Sequence, residues 1–230
     1  MDDALLDLLR KYDTPTISNA IEVAQGTRGY QGFTRGTPLC SEPEGGAVVG
    51  YARTAQIAGA EPASEPSEVI RARRMDYYRY MAEAPKPAVT VIEDVDALPV
   101  AAYWGEVNAT VHKGFGIAGV LTNGVMRDLG DLPKGFPIIA GSLGPSHMFA
   151  HVRSIGQPVT VFGMKVRPGD LIHADRHGAV VVPEAVIPKL EAAIRKLLAT
   201  EAAVLGPCRE PGLDYAKFEK IWAAHEKART

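Results

Sequence analysis

The sequence has little cysteine, and its cysteines do not form a motif. Cys40 and Cys208 are the two in 230 residues, and neither belongs to a C-x-x-C pattern. Structural zinc sites and disulfide frameworks need several cysteines at characteristic spacings. The sequence therefore excludes both and favours a reducing compartment.

Long apolar runs and an excess of one charge are also absent. No stretch approaches the ~18 apolar residues of a membrane span, and the N-terminus MDDALLDLLRKYD lacks the basic start and apolar centre of a signal peptide. The 25 basic and 27 acidic residues leave a formal charge of -2 without a Lys- or Arg-rich run. We therefore expect a cytoplasmic protein that binds neither membranes nor nucleic acid.

What the sequence does contain is enough apolar residues for a large core and many turn residues. The hydrophobic content of 46%, with 23 Gly and 17 Pro, indicates short elements joined by tight turns in one compact domain. Leucines at helical spacing predict a first helix. Thr14 as N-cap, Pro15 at the first helical position and Gly26 as terminator predict a second.

The central part alternates strand-like and helical segments, which is typical of an α/β protein. Segments 45–57 and 87–95 are rich in Val, Ile and Thr and predict strands, with a helix between them at 64–84. A short helix in GEVNATVHKGFG and a buried strand in IAGVLTNG follow. Further strands are predicted in PIIAGSL and from QPVTVF to AVVVP, and the chain after Pro183 predicts C-terminal helices.

The stretch GVLTNGVMRDLGDL, from Gly119 to Leu132, places two charged residues after a buried strand. Arg127 and Asp128 would then lie just beyond its carboxyl end, where open α/β sheets bind ligands. The alternative is a solvated turn or a surface ion pair, which is the usual interpretation of an isolated Arg-Asp dipeptide.

A neighbouring motif favours a binding site. WGEVNA, from Trp104 to Ala109, starts a short helix whose free N–H groups and positive dipole end attract an anion such as a carboxylate. The guanidinium of Arg127 can bind a carboxylate or keto oxygen in a fork, and Asp128 can hold Mg²⁺, which prefers oxygen ligands. Together these features predict a site for a small 2-oxo acid that chelates a metal.

Four motifs carry a resemblance to a known family: WGEVNA, IAGVLTNGVMRD, GFPIIA and VRPGDLIHADRHGAVVVP. They resemble the RraA-like family, which comprises regulator of ribonuclease activity A and the class II 4-hydroxy-4-methyl-2-oxoglutarate aldolases. The motifs occur in the family's order between Pro15 and Glu184, and Gly105 and Arg127 stand 22 positions apart.

The resemblance implies a fold and an assembly. The expected fold is α/β, a swivelling β/β/α domain like that of phosphohistidine domains, with N- and C-terminal helices. We expect one RraA-like domain over residues 1–230, with a C-terminal helical extension at 184–230. The family also implies a homotrimer or homohexamer with active sites near subunit boundaries, and a small-molecule 2-oxo acid as substrate.

The resemblance also assigns roles to residues. The turn that would bind the substrate carboxylate through backbone amides consists of Gly105, Glu106, Val107 and Asn108. Arg127 would bind the keto acid, and Asp128 would hold Mg²⁺ or Mn²⁺ directly or through water. Glu106 would orient a water that moves protons. A neighbouring subunit's C-terminal region would supply a carboxylate in some members, but no motif here identifies it.

The expected reaction breaks a carbon–carbon bond beside a 2-oxo acid and yields pyruvate. It is retro-aldol cleavage of a 4-hydroxy-4-methyl-2-oxoglutarate-like substrate, decarboxylation of an oxaloacetate-like one, or both. Either route passes through an enolate whose charge needs a metal and a cation in position, and Asp128 and Arg127 provide for both. No lysine Schiff base is required.

Two other function classes remain open. One is a non-catalytic protein that regulates a ribonuclease, and the other is an isomerase or hydrolase on the same metal site. The resemblance implies that the regulatory branch departs from the acidic position after the arginine, so Asp128 favours the enzyme. Substrate choice stays open, because Ser18 and Asn19 replace the Ser-Asp of many relatives and the loop 144–151, GPSHMFAH, also departs from them.

The histidines are first expected at the surface or in turns. This applies to His151, His173 and His177, since ADRHG alone suits a β-turn. His147 is the exception, because it follows the predicted strand end AGSLG and could contact the distal end of a substrate.

Overall fold

The structure is a computed structural model that describes residues 3–229. The first two residues and the last residue of the expected 1–230 domain lie outside this range. The described residues form a mixed α/β fold, in which one curled sheet of eight strands packs against helices. The α/β class expected from the sequence is confirmed.

The described chain contains both helices and short strands. The α-helices are Asp3–Arg10 (α1), Thr14–Gln25 (α2), Ser67–Ala82 (α3), Glu106–Gly114 (α4), Ile187–Arg209 (α5) and Tyr215–Arg229 (α6). The strands are Leu39–Cys40 (β1), Val48–Ala58 (β2), Ala88–Asp94 (β3), Ile117–Thr122 (β4), Val125–Met126 (β5), Ile138–Ala140 (β6), Ser142–Leu143 (β7), His151–Ile155 (β8), Val159–Val161 (β9), Met164–Val166 (β10), Leu171–Asp175 (β11) and Gly178–Val182 (β12). Within residues 3–229, no helix has the length and apolar content needed to cross a membrane.

The main sheet has a parallel centre and antiparallel edges. Its order is β1-β6-β4-β3-β2-β11-β12, and β8 pairs with the second half of β2. Strands β2, β3, β4 and β6 are parallel to one another. Strand β3 reads AVTVIED and is buried along nearly its whole length, as a central parallel strand covered on both faces should be. The carboxyl ends of β2, β3 and β4 therefore meet at one edge.

Three buried apolar clusters hold helices and strands together. The first packs α3 and α4 against β2, β3 and β4, with Tyr77, Met81 and Trp104 among its largest side chains. The second joins α1, α2 and α5 to the antiparallel end of the sheet. The third lies between the sheet and the small β9–β10 hairpin. Helix α4 is thus fixed to the parallel part of the sheet.

The start of α2 differs from the sequence expectation. Asp13, not Thr14, is the N-cap, because its carboxylate accepts a hydrogen bond of 2.9 Å from the Thr16 N–H. The Thr14 N–H instead donates to Asp175 Oδ2 at 2.8 Å, which ties α2 to the end of β11. Gly26 ends the helix as expected, with φ of 69°.

Two of the histidines expected at the surface are buried in strands. His151 is 4% exposed at the start of β8, a strand that the sequence did not predict, and His173 is fully buried in β11. His173 Nε2 donates to the Leu9 carbonyl and its Nδ1 accepts from the Thr14 hydroxyl, each at 3.0 Å. The surface expectation was wrong for both because each lies in a strand of the buried sheet. Partners distant in the sequence satisfy the ring nitrogens of His173, whereas His151 Nδ1 donates to the nearby Phe149 carbonyl at 2.8 Å and its buried Nε2 has no hydrogen-bond partner among the described residues. His177 does lie in an exposed turn.

Candidate active site

The predicted site residues lie on two chain segments that run side by side. Strand β4 ends at Thr122, and the chain turns through Gly124 into β5 and then Arg127. The second segment is the turn from Trp104 to Glu106 that leads into α4. It lies beside the first, because Trp104 forms a β-bridge with Met126 and the Arg127 N–H donates to the Trp104 carbonyl at 2.8 Å. The turn before α4 and the Arg-Asp dipeptide are therefore neighbours at the carboxyl edge of the parallel strands, where such sheets bind ligands.

Gly105 lets these segments approach each other closely. A Cβ atom at this position would lie 2.3 Å from Asp128 Oδ2 and 3.0 Å from both Cγ and Nε of Arg127. The backbone of Gly105 is extended, with φ of -133°, so any residue could adopt its conformation. Glycine is required here for space, because a side chain would displace the two predicted functional groups.

Asp128 faces the first turn of α4. Its Oδ2 accepts a hydrogen bond of 3.1 Å from the Glu106 N–H, so a distant carboxylate caps this helix where its own N-cap, a glycine, cannot. Negative charge is favourable at a helix N-terminus. Asp128 has φ of 57°, in the left-handed region that few residues other than glycine adopt. Residues held in this region cluster at functional sites.

The guanidinium of Arg127 has an N–H donor, at Nε, that makes no hydrogen bond to the described residues. Its Nε lies 3.6 Å from Asp128 Oδ2, which makes an ion pair but not a hydrogen bond. Nε is buried and has no hydrogen-bond partner among the described residues, while 31% of the side chain remains exposed. A guanidinium so placed can still bind a carboxylate or a keto oxygen.

The first turn of α4 supplies further donors. The first N–H groups of a helix have no partner within it, and Glu106 is already bonded to Asp128, which leaves those of Val107 and Asn108 for a ligand. The side chain of Asn108 points inward, donating to the Tyr103 carbonyl and accepting from the Tyr78 hydroxyl, both at 2.7 Å. Asn108 can therefore contact a ligand through its backbone alone.

Glu106 and His147 are both solvent-exposed. The Glu106 carboxylate has no partner among the described residues and is free to hold a water molecule. His147 Nδ1 donates to the Met148 carbonyl at 2.8 Å. Its loop runs along the site, since the Gly144 N–H donates to Met126 and the Ser146 carbonyl accepts from Ala102.

The donor set fits a hydrated hard cation rather than a zinc ion. No group of three or more His, Cys, Asp or Glu side chains that could hold a metal occurs within residues 3–229. The site offers the Asp128 carboxylate, with Glu106 on the adjoining turn. Mg²⁺ typically uses one or two protein carboxylates and keeps several waters or substrate oxygens. The residues present therefore suit Mg²⁺ or Mn²⁺.

A buried carboxylate that the sequence did not indicate lies beside the site. Asp94 ends β3 and is 2% exposed, and burial raises its pKa to about 6. Its backbone N–H and carbonyl are both held at 2.8 Å by the amide of Asn123, which ties the end of β3 to the end of β4. An aspartate at the end of a buried apolar strand is the signal that could have identified it.

A second missed feature is the buried His112 on the inner side of α4. Its Nδ1 lies 2.6 Å from the Asn108 carbonyl and its Nε2 lies 2.6 Å from the Tyr77 hydroxyl. A carbonyl can only accept, so Nδ1 carries the hydrogen and Nε2 accepts from Tyr77. Burial is the main cause that lowers the pKa of His112 to about 4, and the imidazole is neutral at pH 7.

The neutral state of His112 predicts acid sensitivity. Because its folded pKa of about 4 lies below the unfolded value of 6.5, the stabilisation is complete above pH 6.5 and is lost as the pH falls toward 4. His112 alone should lower the free energy of unfolding by about 2 kcal/mol between pH 7 and pH 5. Urea denaturation at both pH values measures this.

The variant His112→Gln is the control for that experiment. Burial lowers the pKa of His173 too, so His173 also makes the free energy of unfolding fall as the pH is lowered. The variant should be less stable at pH 7 but should lose less stability on acidification than the wild type. Equal losses in both proteins would show that His112 does not cause the acid sensitivity.

The fold and this site define a mixed α/β protein with polar groups at the carboxyl edge of its parallel strands. The chain belongs to the RraA-like family: residues 14–181 match its sequence profile, described as Aldolase/RraA. This confirms the family that the four sequence motifs indicated.

One relative supports the same family. A protein from Halalkalibacterium halodurans, provisionally named a 4-hydroxy-4-methyl-2-oxoglutarate aldolase, is 30% identical over 189 residues, which is 80% of each chain.

Two solved structures share the fold. An uncharacterized protein from Pseudomonas syringae has a TM-score of 0.73 and 21% identity, with 97% of this chain and 95% of that chain covered. RraAS2 from Streptomyces coelicolor, described as an unusual member of the RNase ES inhibitor RraA family, has a TM-score of 0.66 and 22% identity, with 91% and 98% covered. At these identities the likeness concerns the fold alone.

Proposed function

We propose that the protein is a divalent-metal-dependent lyase that acts on a 2-oxo acid and releases pyruvate. The observation that carries the proposal is the packing of Arg127 and Asp128 around Gly105 at the start of α4. This arrangement joins a guanidinium, a carboxylate and unpaired helix N–H groups in one place. The substrates that suit it are a 4-hydroxy-2-oxo acid, cleaved by a retro-aldol reaction, and oxaloacetate, cleaved by decarboxylation.

Binding of the substrate carboxylate is assigned to backbone and guanidinium donors. The N–H groups of Val107 and Asn108 lie at the positive end of α4, and the exposed part of Arg127 lies beside them. The guanidinium can bridge the carboxylate and the keto oxygen of a 2-oxo acid with two hydrogen bonds. The guanidinium also stabilises the negative charge that develops on the keto oxygen as the carbon–carbon bond breaks.

Asp128 is the residue assigned to the metal. Mg²⁺ or Mn²⁺ would supply Lewis-acid charge for the developing oxyanion. Asp128 is suited to hold a cation because its Oδ1 has no hydrogen-bond partner among the described residues, while Oδ2 is oriented by the Glu106 N–H. Its left-handed backbone turns the carboxylate back toward α4.

Glu106 is assigned to proton transfer. In retro-aldol cleavage a proton leaves the 4-hydroxyl group, the C3–C4 bond breaks, and C3 gains a proton to give pyruvate. In decarboxylation carbon dioxide leaves instead, and C3 is protonated in the same way. A water held by the exposed Glu106 carboxylate can accept the first proton and donate the second.

The direct test is a substrate panel. The protein is incubated with Mg²⁺ and either oxaloacetate or one of several 4-hydroxy-2-oxo acids, and pyruvate is measured. We expect at least one substrate to release pyruvate faster with the protein and Mg²⁺ than with Mg²⁺ alone. No release from any substrate would contradict the proposal and would favour a non-catalytic regulator.

The assembly and location expected from the sequence stay predictions. The proposal includes a homotrimer or homohexamer of the 1–230 domain, in the cytoplasm. Large apolar side chains exposed around the site support such an assembly, because contact between subunits would cover them. They include Val107, Leu129, Leu143, Met148 and Phe149.

The close contact at Gly105 gives a specific prediction for Gly105→Ala. The new Cβ would require Asp128 Oδ2 to move by about 1 Å, since 2.3 Å is far below a normal contact. Displacements of this size can cost on the order of 10²-fold in rate, and we expect at least a tenfold loss in kcat/KM. The melting temperature should change little, because all three close contacts are to side-chain atoms of Arg127 and Asp128, which can shift without moving the backbone. Unchanged kinetics would contradict the assigned geometry.

A further inference from the structure

A buried polar network lies beneath the proposed carboxylate-binding turn. Tyr77 and Tyr78 on α3 reach across to His112 and Asn108 on α4. The four rings of Tyr77, Tyr78, Trp104 and Phe115 surround the His112 imidazole, with centroid distances from 4.8 Å for Trp104 to 6.3 Å for Phe115. The side chains of this network are distinct from those assigned to substrate and metal, which are Glu106, Arg127 and Asp128; Asn108 belongs to both sets, because its side chain is in the network and its backbone N–H is assigned to the substrate.

The hydrogen bonds in this network have one consistent direction. Tyr77 donates to His112 Nε2, and His112 Nδ1 donates to the Asn108 carbonyl, both at 2.6 Å. Tyr78 donates to Asn108 Oδ1, and Asn108 Nδ2 donates to the Tyr103 carbonyl, both at 2.7 Å. Every acceptor in this set is thus matched to a donor.

Asn108 is therefore held at two points while its N–H stays free. Its carbonyl is fixed by His112 and its side chain by Tyr78, and the same side chain fixes Tyr103, two residues before Gly105. Because the helix is rigid over one turn, these bonds also fix the direction of the N–H groups of Val107 and Asn108. Two hydroxyl groups of α3 thereby set the geometry of a turn on a different helix.

We propose that Tyr77 and Tyr78 are positioning residues that aim the carboxylate-binding turn 105–108, acting through His112 and Asn108. The inference rests on the carboxylate-binding part of the proposed function. Neither hydroxyl touches the substrate, so losing one should weaken carboxylate binding without removing a reacting group.

Helix α3 offers a matched control. Tyr80 also has a buried hydroxyl, but that hydroxyl has no hydrogen-bond partner among the described residues. Tyr77→Phe, Tyr78→Phe and Tyr80→Phe therefore each remove one hydroxyl group from the same helix. The first two break the network, and the third leaves it intact.

The experiment compares the three variants in catalysis and in ligand binding. We expect Tyr77→Phe and Tyr78→Phe to raise KM by about tenfold with kcat within threefold, since misaligned donors weaken binding of the ground state. In Tyr80→Phe, both KM and kcat should stay within twofold of the wild-type values. Calorimetric titration with oxalate in the presence of Mg²⁺ should show the same tenfold weakening in the first two variants alone.

The pH profile adds a readout that a purely structural role would not move. Tyr77 and Tyr78 are the titratable groups whose rings face the imidazole, together with the uncharged Trp104 and Phe115. Without the Tyr77 hydroxyl, Nε2 of His112 loses the donor that favours its neutral form. The acid limb of kcat/KM should therefore move to higher pH in Tyr77→Phe, and not in Tyr80→Phe.

The outcomes separate this inference from the proposed function. If the wild type releases no pyruvate but binds oxalate, and the first two variants bind it tenfold more weakly, the positioning role holds and the lyase proposal fails. If the first two variants match Tyr80→Phe in KM and in oxalate affinity, with only a lower melting temperature, the positioning role is overturned. A wild type that does not bind oxalate overturns it as well.

Discussion

Asp128→Ala should remove metal-dependent pyruvate release, with a loss on the order of 10³-fold in kcat. The substitution deletes the carboxylate assigned to the metal and the acceptor of the Glu106 N–H bond at 3.1 Å. Isothermal titration with Mg²⁺ should show a matching loss of affinity. Unchanged Mg²⁺ affinity in a folded variant would refute the ligand role.

Asp128→Asn is the matched control for this experiment. Asn tolerates the left-handed conformation at this position, where φ is 57°, whereas alanine there costs roughly 1–2 kcal/mol. Asn also keeps an oxygen that can accept from the Glu106 N–H. If charge on Asp128 is what binds the metal, Asn should lose activity almost as fully as alanine while its melting temperature stays near that of the wild type.

Arg127→Lys should lower kcat and kcat/KM together by on the order of 10²-fold, as for loss of one oxyanion donor. Lysine keeps the positive charge but lacks the planar fork that grips an oxyanion with two hydrogen bonds. The buried Nε of Arg127 has no partner among the described residues, so little internal bonding is lost. Steady-state kinetics with the best substrate measures both constants.

The pattern of constants distinguishes three roles for Arg127. A rise in KM at constant kcat would mean that Arg127 binds mainly the carboxylate of the ground state. Near-wild-type kinetics with a lowered melting temperature would mean that it serves the fold through its ion pair with Asp128. Measuring the melting temperature alongside the kinetics is therefore part of the test.

Elements with strong local signals were predictable from the sequence. The buried strand β4 and the short helix α4 lie where IAGVLTNG and GEVNATVHKG placed them. Apolar runs and helix-start residues identify such elements because burial and capping act within a few residues. The N-cap of α2 was misplaced by one residue because Asp13 and Thr14 both suit that position, and the partner of Thr14 lies 161 residues away.

Features that depend on distant partners were not predictable. Strand β8 forms on β2 across about 100 residues of chain, and its sequence HVRSI lacks the alternation of apolar and polar residues that marks a half-buried strand. His173 is buried because Leu9 and Thr14 satisfy its ring nitrogens. No local pattern in the sequence reports such bonds.

The candidate site was predictable in its parts but not in its packing. The sequence indicated that Gly105, Arg127 and Asp128 belong to one site. It did not indicate that the glycine is needed for contact, with 2.3 Å between its absent Cβ and a carboxylate oxygen. Nor did it show that the Asn108 side chain faces inward to Tyr78 and Tyr103, because that direction is set by α3.

The most direct test of the account is pyruvate release from the best substrate of the panel, measured after EDTA treatment and again after Mg²⁺ is restored. In the wild type, we expect release to fall to the uncatalysed rate on chelation and to recover fully when Mg²⁺ is restored. In Asp128→Asn, added Mg²⁺ should not restore release. Release that persists unchanged in EDTA, or that Asp128→Asn retains, would contradict a metal-dependent lyase built on Arg127 and Asp128.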